Sequence, residues 1–299
     1  MKVTNPLACL QAAGTLAKTI IFRRTKRGHT AYRYFKPKQP HTIKQQAYHA
    51  LFGMLADRWN TLDTASKRLW EPLANAHSIT RYNAYLQHNL RRLNPAQIDG
   101  LIGWWPNLVP GGSILHDLTV NNRDGEFVSL NPATAWPNDT QRQGQVIEFT
   151  DPGYVNVPTP PSTVGHFSVA AWIKQNVYTH NCAIIDTGVV TSYCFGQIRF
   201  ERLAAVVANY FVTTDQIWLT DFDWHHVAFC WDGSSLYLWI DGVVLPATGT
   251  NTPPAAQTQM WIARRAVETA GETFQGRVDD LRLYARALST ADVLELASH

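Results

Sequence analysis

The sequence predicts two domains of different class: a small basic α+β unit, made of a hairpin and three short helices, followed by an all-β sandwich. Three observations carry that prediction. At 299 residues the chain is about twice the length that one hydrophobic core usually organises. Its texture changes near Gly100, from helical spacing to short alternating runs separated by Gly, Pro, Asn and Asp. Its charge divides at the same place. Residues 1–100 hold 16 Lys and Arg against four acids, a balance of +12; residues 101–299 hold 10 against 19, a balance of −9. Such a split predicts two units with different electrostatic partners, and the simplest partner for the basic one is a polyanion or an acidic neighbouring subunit.

The N-terminal elements follow in order. Residues 1–17 have no clear period and read as an extended arm. Two β-prone runs, Thr19–Arg23 and Thr30–Phe35, surround Lys26-Arg27-Gly28, which is a hairpin signal. Arg23, Arg24, Lys26, Arg27, Arg33 and Lys36 lie on or beside it and make it the candidate anion or assembly contact, before Pro37 and Pro40 end it. Thr42 caps a first helix to about Arg58, with Ile43, Ala47, Leu51 and Leu55 on one face. A second helix is expected over about 64–77, where Pro72 marks a kink or an earlier helix start. A third is expected over about 80–93. Trp59, Trp70, Tyr82 and Tyr85 supply a miniature aromatic core, and the boundary is expected at 95–100. This unit therefore spans 18–95, and the sandwich 100–299.

Beyond Gly100 short runs recur about every ten residues, among them Ser168–Lys174, Phe195–Phe200, His225–Trp231, Leu236–Ile240 and Val278–Tyr284, as a two-sheet sandwich requires. Asp241-Gly242 is a tight-turn signal. Trp172, Trp231, Trp239, Phe229 and Tyr237 are expected to fill the ~10 Å gap between the sheets. Of His225 and His226, one is expected to be inward and hydrogen-bonded. The cysteines Cys9, Cys182, Cys194 and Cys230 show no metal spacing; Cys182 and Cys194 flank a hairpin-length segment, but buried thiols are the expected state. No segment approaches the ~18 apolar residues of a membrane span. The N-terminus does not read as a secretory signal.

Five motifs, in order, resemble a laminin-G-like domain of the concanavalin-A type. They are Gly103-Trp-Trp-Pro106 with Ile114–Gly125; Gln145–Val157; Phe167-Ser-Val-Ala-Ala-Trp-Ile-Lys174; Asp223–Phe229 with Leu236–Gly242; and Phe274–Ser289. The resemblance implies a jelly roll that binds rather than catalyses, and a structural Ca²⁺ in some members. By residue type the Ca²⁺ candidates are Asp117, Asn122, Asp124, Asp279 and Asp280, since calcium takes six to eight hard oxygens. The alternative is that Asp117 and Asn122 organise an Asx-type turn. Thr119-Val120-Asn121 stands where the family has Ser-Gly-Asn. Trp136, Tyr178 and Tyr193 are the candidate sugar-stacking rings.

No Glu-x-Asp-x-Glu array, Gly-x-Ser-x-Gly, phosphate loop or His-Glu-x-x-His is present, so an enzyme is not expected. The N-terminal unit faintly resembles small phage and bacterial structural proteins, and its helices loosely resemble an HMG box. The expected function is a non-catalytic structural or adhesive protein of a phage virion, as a capsid decoration, fibre or tail protein. Its basic unit would anchor it in a homo-oligomer or larger assembly, and its jelly roll would be displayed. A bacterial surface lectin and a DNA-binding protein with an appended β-domain are the alternatives.

Overall fold

A computed structural model describes residues 14–16, 20–25, 28–33, 43–92, 95–107, 112–119, 121–142, 144–160, 165–177, 182–188, 193–199, 202–207, 210–213, 219, 221–249, 257–266 and 273–298. The chain forms two compact units, which divide between Ile43 and Lys44. The sequence placed that division near 95–100.

The first unit holds the expected hairpin. Strands β2 (Ile20–Thr25) and β3 (Gly28–Arg33) pair antiparallel, with Thr25 opposite Gly28. A short strand, β1 (Gly14–Leu16), extends the sheet from the segment read as an arm. Arg23, Arg24 and Arg33 stand on these strands, whereas Lys26, Arg27 and Lys36 lie outside the described residues.

The second unit begins with four helices, α1 (Ile43–Thr61), α2 (Thr64–Arg68), α3 (Glu71–His77) and α4 (Arg81–Arg92). The expected helix over 64–77 is two. Asp63 caps α2 by accepting the Ser66 N–H at 2.7 Å, and Pro72 sits in the first turn of α3, where its missing N–H costs nothing. The aromatic core forms as expected: Trp59 packs on Tyr82 and Tyr85 at 5.6 and 5.2 Å, and Trp70 meets Tyr85 edge-on at 5.3 Å. It is not self-contained, however. The same cluster includes Trp104 and Leu118 of the sandwich, which is why these helices belong to the second unit.

The sandwich strands are β4 (Leu101–Trp105), β5 (Ile114–Leu115), β6 (Gly125–Val128), β7 (Asn138–Asp139), β8 (Gly144–Gln145), β9 (Ile147–Phe149), β10 (Tyr154–Val157) and β11 (Phe167–Gln175). They continue with β12 (Ile185–Asp186), β13 (Tyr193–Arg199), β14 (Arg202–Val207), β15 (Tyr210–Thr213), β16 (His225–Trp231), β17 (Ser235–Ile240), β18 (Val243–Gly249), β19 (Met260–Ile262) and β20 (Gly276–Tyr284). Among the described residues one sheet has the order β15-β14-β13-β12-β19-β10-β6-β5, and the other β18-β17-β16-β11-β20-β4 with β9 also paired to β20. The Asp241-Gly242 turn has φ of 50° and 78° at its two central residues, the left-handed pair that a two-residue hairpin needs. Cys182 and Cys230 are buried thiols. None of the described helices is long and apolar enough to cross a membrane.

The six-strand run is covered on both faces, and this corrects the reading of the aromatics. Phe167, Phe229 and Trp231 do lie in the inter-sheet core. Tyr237 and Trp239 have the opposite parity and pack under a C-terminal helix, α5 (Thr290–Ala297), with Leu288, Val293 and Leu296. Trp172 also faces outward, beneath the Arg142 guanidinium at 4.2 Å from its ring centre. A strand alternates faces whatever covers them, so a ring's strand does not tell which layer it enters. Helix α5 itself was not anticipated. Its signal was legible as Ser289-Thr-Ala-Asp292, a capping box in which each end accepts the other's N–H, at 3.2 and 2.8 Å.

Candidate functional site

A pocket opens at one end of the sandwich, lined by Ile173, Gln175, Leu219, Asp221, Phe222, Asp223 and His225. Strand β11 supplies its floor. Phe167, Val169, Ala171 and Ile173 form the inward row of that strand, and Gln175 continues the row with a polar side chain. Gln175 is 4% exposed, and neither its Oε1 nor its Nε2 has a hydrogen-bond partner among the described residues. A buried amide left unpaired costs about 1–3 kcal/mol. Such a group is a liability for folding and an asset for binding something with hydroxyls.

The segment before β16 supplies the rim. Phe222 is held at φ 56°, a left-handed conformation uncommon for a bulky residue, and its ring is 37% exposed. Asp221 shapes the turn by accepting the Asp223 N–H at 3.1 Å. His225 is clamped between carboxylates, with Nδ1 at 2.7 Å from Asp241 and Nε2 at 2.9 Å from Asp221. Its hydrogen bonds to Asp241 and then Asp221 lift its pKa to about 9, so it is an imidazolium at neutral pH. Reciprocally, the bond from His225 holds the Asp221 carboxyl below its usual range. His226, next in sequence, points to the outer face and is 2% exposed; burial drives its pKa down to about 4, and its Nδ1 has no partner among the described residues. His225, opposite Ile173 on the inward row, is thus the hydrogen-bonded member of the pair, and His226 is the neutral one on the outer face.

The five Ca²⁺ candidates do not converge on one oxygen cluster. Asp117 is fully buried, and its two oxygens accept from the backbone of Trp104, Thr119 and Arg123 and from the Thr119 hydroxyl, at 2.9–3.0 Å. Burial still lifts its pKa. Asn122, at φ 53°, donates its N–H to Thr119 at 3.2 Å in the turn. Asp124 is paired with Arg58 at 2.6 Å, and Asp279 with Arg142 at 3.0 Å. Asp280 holds Arg282 at 2.7 Å and accepts the Trp104 indole N–H at 2.6 Å. Guanidinium and N–H donors occupy the oxygens that a cation would need, so these residues do not fit a calcium centre in this arrangement. The Asx-turn alternative describes Asp117 instead.

Trp136 stacks on Phe127 at 5.3 Å and donates its indole N–H to the Gly112 carbonyl at 3.1 Å, which makes it part of the scaffold. Tyr193 is on β13 opposite Val207, its side chain outside the described residues, as is all of Tyr178. Sequence reasoning missed Gln175 and Phe222. The available signal was a polar residue on the inward row of an otherwise apolar strand.

One arrangement has the spacing of a proton relay. Ser66 Oγ is 3.1 Å from His116 Nε2, and His116 Nδ1 is 2.8 Å from Asp124 Oδ2. Arg58 Nη2, however, lies 3.0 Å from the same Nδ1 and bonds Asp124, while Ser66 is 6% exposed and also reaches Asp63 at 3.3 Å. These five side chains brace α1 and α2 against the loop after β5.

Fold and site together define a jelly-roll sandwich with a loop-end pocket. Residues 149–294 match the Laminin_G_3 family, described as the concanavalin A-like lectin/glucanases superfamily. No curated protein sequence matches the chain. Among solved structures, domain 4 of the extracellular arabinanase AbnA of Geobacillus stearothermophilus, solved with arabinotriose, is similar at TM-score 0.53 and 18% identity, covering 66% of this chain and 98% of that domain. The binding domain of Paraclostridial Mosquitocidal Protein 1 is similar at TM-score 0.52 and 14% identity, covering 67% of this chain and 52% of that one. Trypanosoma rangeli sialidase with the inhibitor DANA is similar at TM-score 0.51 and 13% identity, over 93% of this chain and 42% of the sialidase. The chain thus spans about half or less of the last two. At these identities the likeness shows the shared fold.

Proposed function

We propose that this protein binds a carbohydrate in the loop-end pocket and performs no covalent chemistry there. The observation that carries the reading is the buried, unpaired Gln175 amide beside an exposed Phe222 and two carboxylates. A planar amide with a donor and an acceptor side by side matches two hydroxyls on neighbouring carbons. An exposed ring offers an apolar face for the C–H side of a sugar. The arabinotriose bound by the similar arabinanase domain supports the class of ligand. The binding-only part rests on the acids: of the two carboxylates lining the pocket Asp221 is engaged by His225, which leaves Asp223 without the second carboxylate that glycoside hydrolysis uses, and Asp279 and Asp280 are each engaged by an arginine.

A glycan array followed by calorimetry tests it. Saturable binding is expected, and Gln175→Leu should weaken it about 10- to 100-fold by removing a buried pair of hydrogen bonds. The same variant should be as heat-stable as the parent or more so, since it deletes an unsatisfied polar group. Undiminished binding by Gln175→Leu would sink the reading.

A setting in a larger assembly, as a structural or adhesive component of a phage virion, is favoured by the +12 and −9 division of charge. The basic hairpin would dock on the acidic face of a neighbour, and the sandwich would be displayed. Native mass spectrometry should find multi-copy complexes that dissociate with salt; a monomer at every salt concentration excludes it. A DNA-binding role would instead give a shift of duplex DNA with a steep salt dependence.

A further inference from the structure

The pocket's charges say which glycans it admits. Its wall and rim carry Asp221 and Asp223 and the His225 imidazolium, which also leans on Asp241. Three carboxylates against one cation leave a net charge of −2. Asp221 and Asp241 share the His225 proton charge, whereas Asp223 is exposed and its carboxylate is engaged by no described side chain. Neighbouring charges do not reverse the sign: Arg277 at the end of β20 is taken up by Asp139 at 3.0 Å and Glu148 at 3.6 Å. Residues 203–224, which lead into the rim, contain three Asp and no Lys or Arg. Around them residues 101–299 carry −9.

Resting on the carbohydrate reading above, we infer that the pocket selects uncharged or amine-bearing sugars and rejects glycans that bear carboxylate or sulfate, with the exposed Asp223 carboxylate as the discriminating group. The neutral Gln175 amide and the Phe222 ring hold any sugar of suitable shape, so they cannot discriminate by charge. A carboxylate or sulfate brought beside Asp223 meets uncompensated negative charge, and at low ionic strength that repulsion is little screened. A sugar ammonium meets an acceptor in the same place.

The test uses the full chain and four probes of one oligosaccharide length: a neutral oligosaccharide, its sialylated form, its sulfated form, and a glucosamine oligomer. At low ionic strength the sialylated and sulfated probes should bind at least about 10-fold more weakly than the neutral one, with the gap narrowing as salt is raised. The glucosamine oligomer should bind at least as well as the neutral probe. Asp223→Asn should narrow the anionic-to-neutral ratio several-fold. Equal binding of neutral and anionic probes would overturn the selectivity and leave the carbohydrate reading standing. Binding of none of the probes would overturn both.

Discussion

Asp280→Asn should cost this protein about 3–5 kcal/mol of folding stability, read as a lowered midpoint in urea or guanidinium unfolding. The Arg282 guanidinium is 1% exposed, lying between the sandwich and the helices, and Asp280 meets it with both oxygens at 3.0 and 2.7 Å. Gln97 adds an acceptor at 2.8 Å but no charge. Asparagine suits the left-handed backbone at this position, where Asp280 has φ 53°, so the substitution removes charge and little else. What remains is a buried cation without its carboxylate, the expensive half of a broken pair. The double variant Asp280→Asn/Arg282→Met should be more stable than Asp280→Asn alone, because it removes the stranded charge. A single substitution costing under about 1 kcal/mol would mean that the pair is hydrated and the helices do not seal it.

The second large effect is a dome in stability against pH, raised by two adjacent histidines with opposite shifts. His226 titrates near 4 when folded, because of burial, and near 6.5 when unfolded. Between those values the unfolded chain binds a proton that the folded chain refuses, so stability falls as pH drops from about 6.5 toward 4, by roughly 3 kcal/mol in all. His225 runs the other way. Its folded pKa is about 9, raised first by Asp241, so its contribution is complete below about 6.5 and is lost as pH climbs through 9. Its partners Asp221 and Asp241 are exposed carboxylates in contact with solvent, so it contributes the shallower limb. Carboxylates with shifted pKa values tilt the acid side as well, Asp117 upward among them, so the comparison of variants carries the test. His226→Gln should flatten the acid limb and His225→Asn the alkaline limb. A His226→Gln variant whose stability falls between pH 6.5 and 4 as steeply as the parent would refute the assignment.

How much of this was legible beforehand differs by element. The Asp241-Gly242 turn and the strands around it could be read directly, since a two-residue turn and period-two alternation are local properties. The break at Pro72 was visible as an ambiguity, and the structure resolved it as a helix start. The pocket was not legible. Gln175 was hidden because a single glutamine acquires meaning only when its neighbours deny it a partner. The pairing of the calcium candidates was hidden for the same reason: Asp124 and Asp279 are matched to arginines 66 and 137 residues away, pairings that no spacing rule reports.

By itself, the sequence determined that residues beyond Gly100 form a two-sheet sandwich, and that a basic hairpin and a helical block precede it. These follow from local propensity and short-range alternation. Only the tertiary structure decided that the helices share a core with Trp104 and belong to the sandwich unit, that Trp172, Trp239 and Tyr237 face outward under other layers, and that the Gln175 amide ends the inward row unpaired at a pocket. Alternation assigns each residue to one of two faces. What covers each face, and whether a buried polar group there finds a partner, depends on elements distant in the chain.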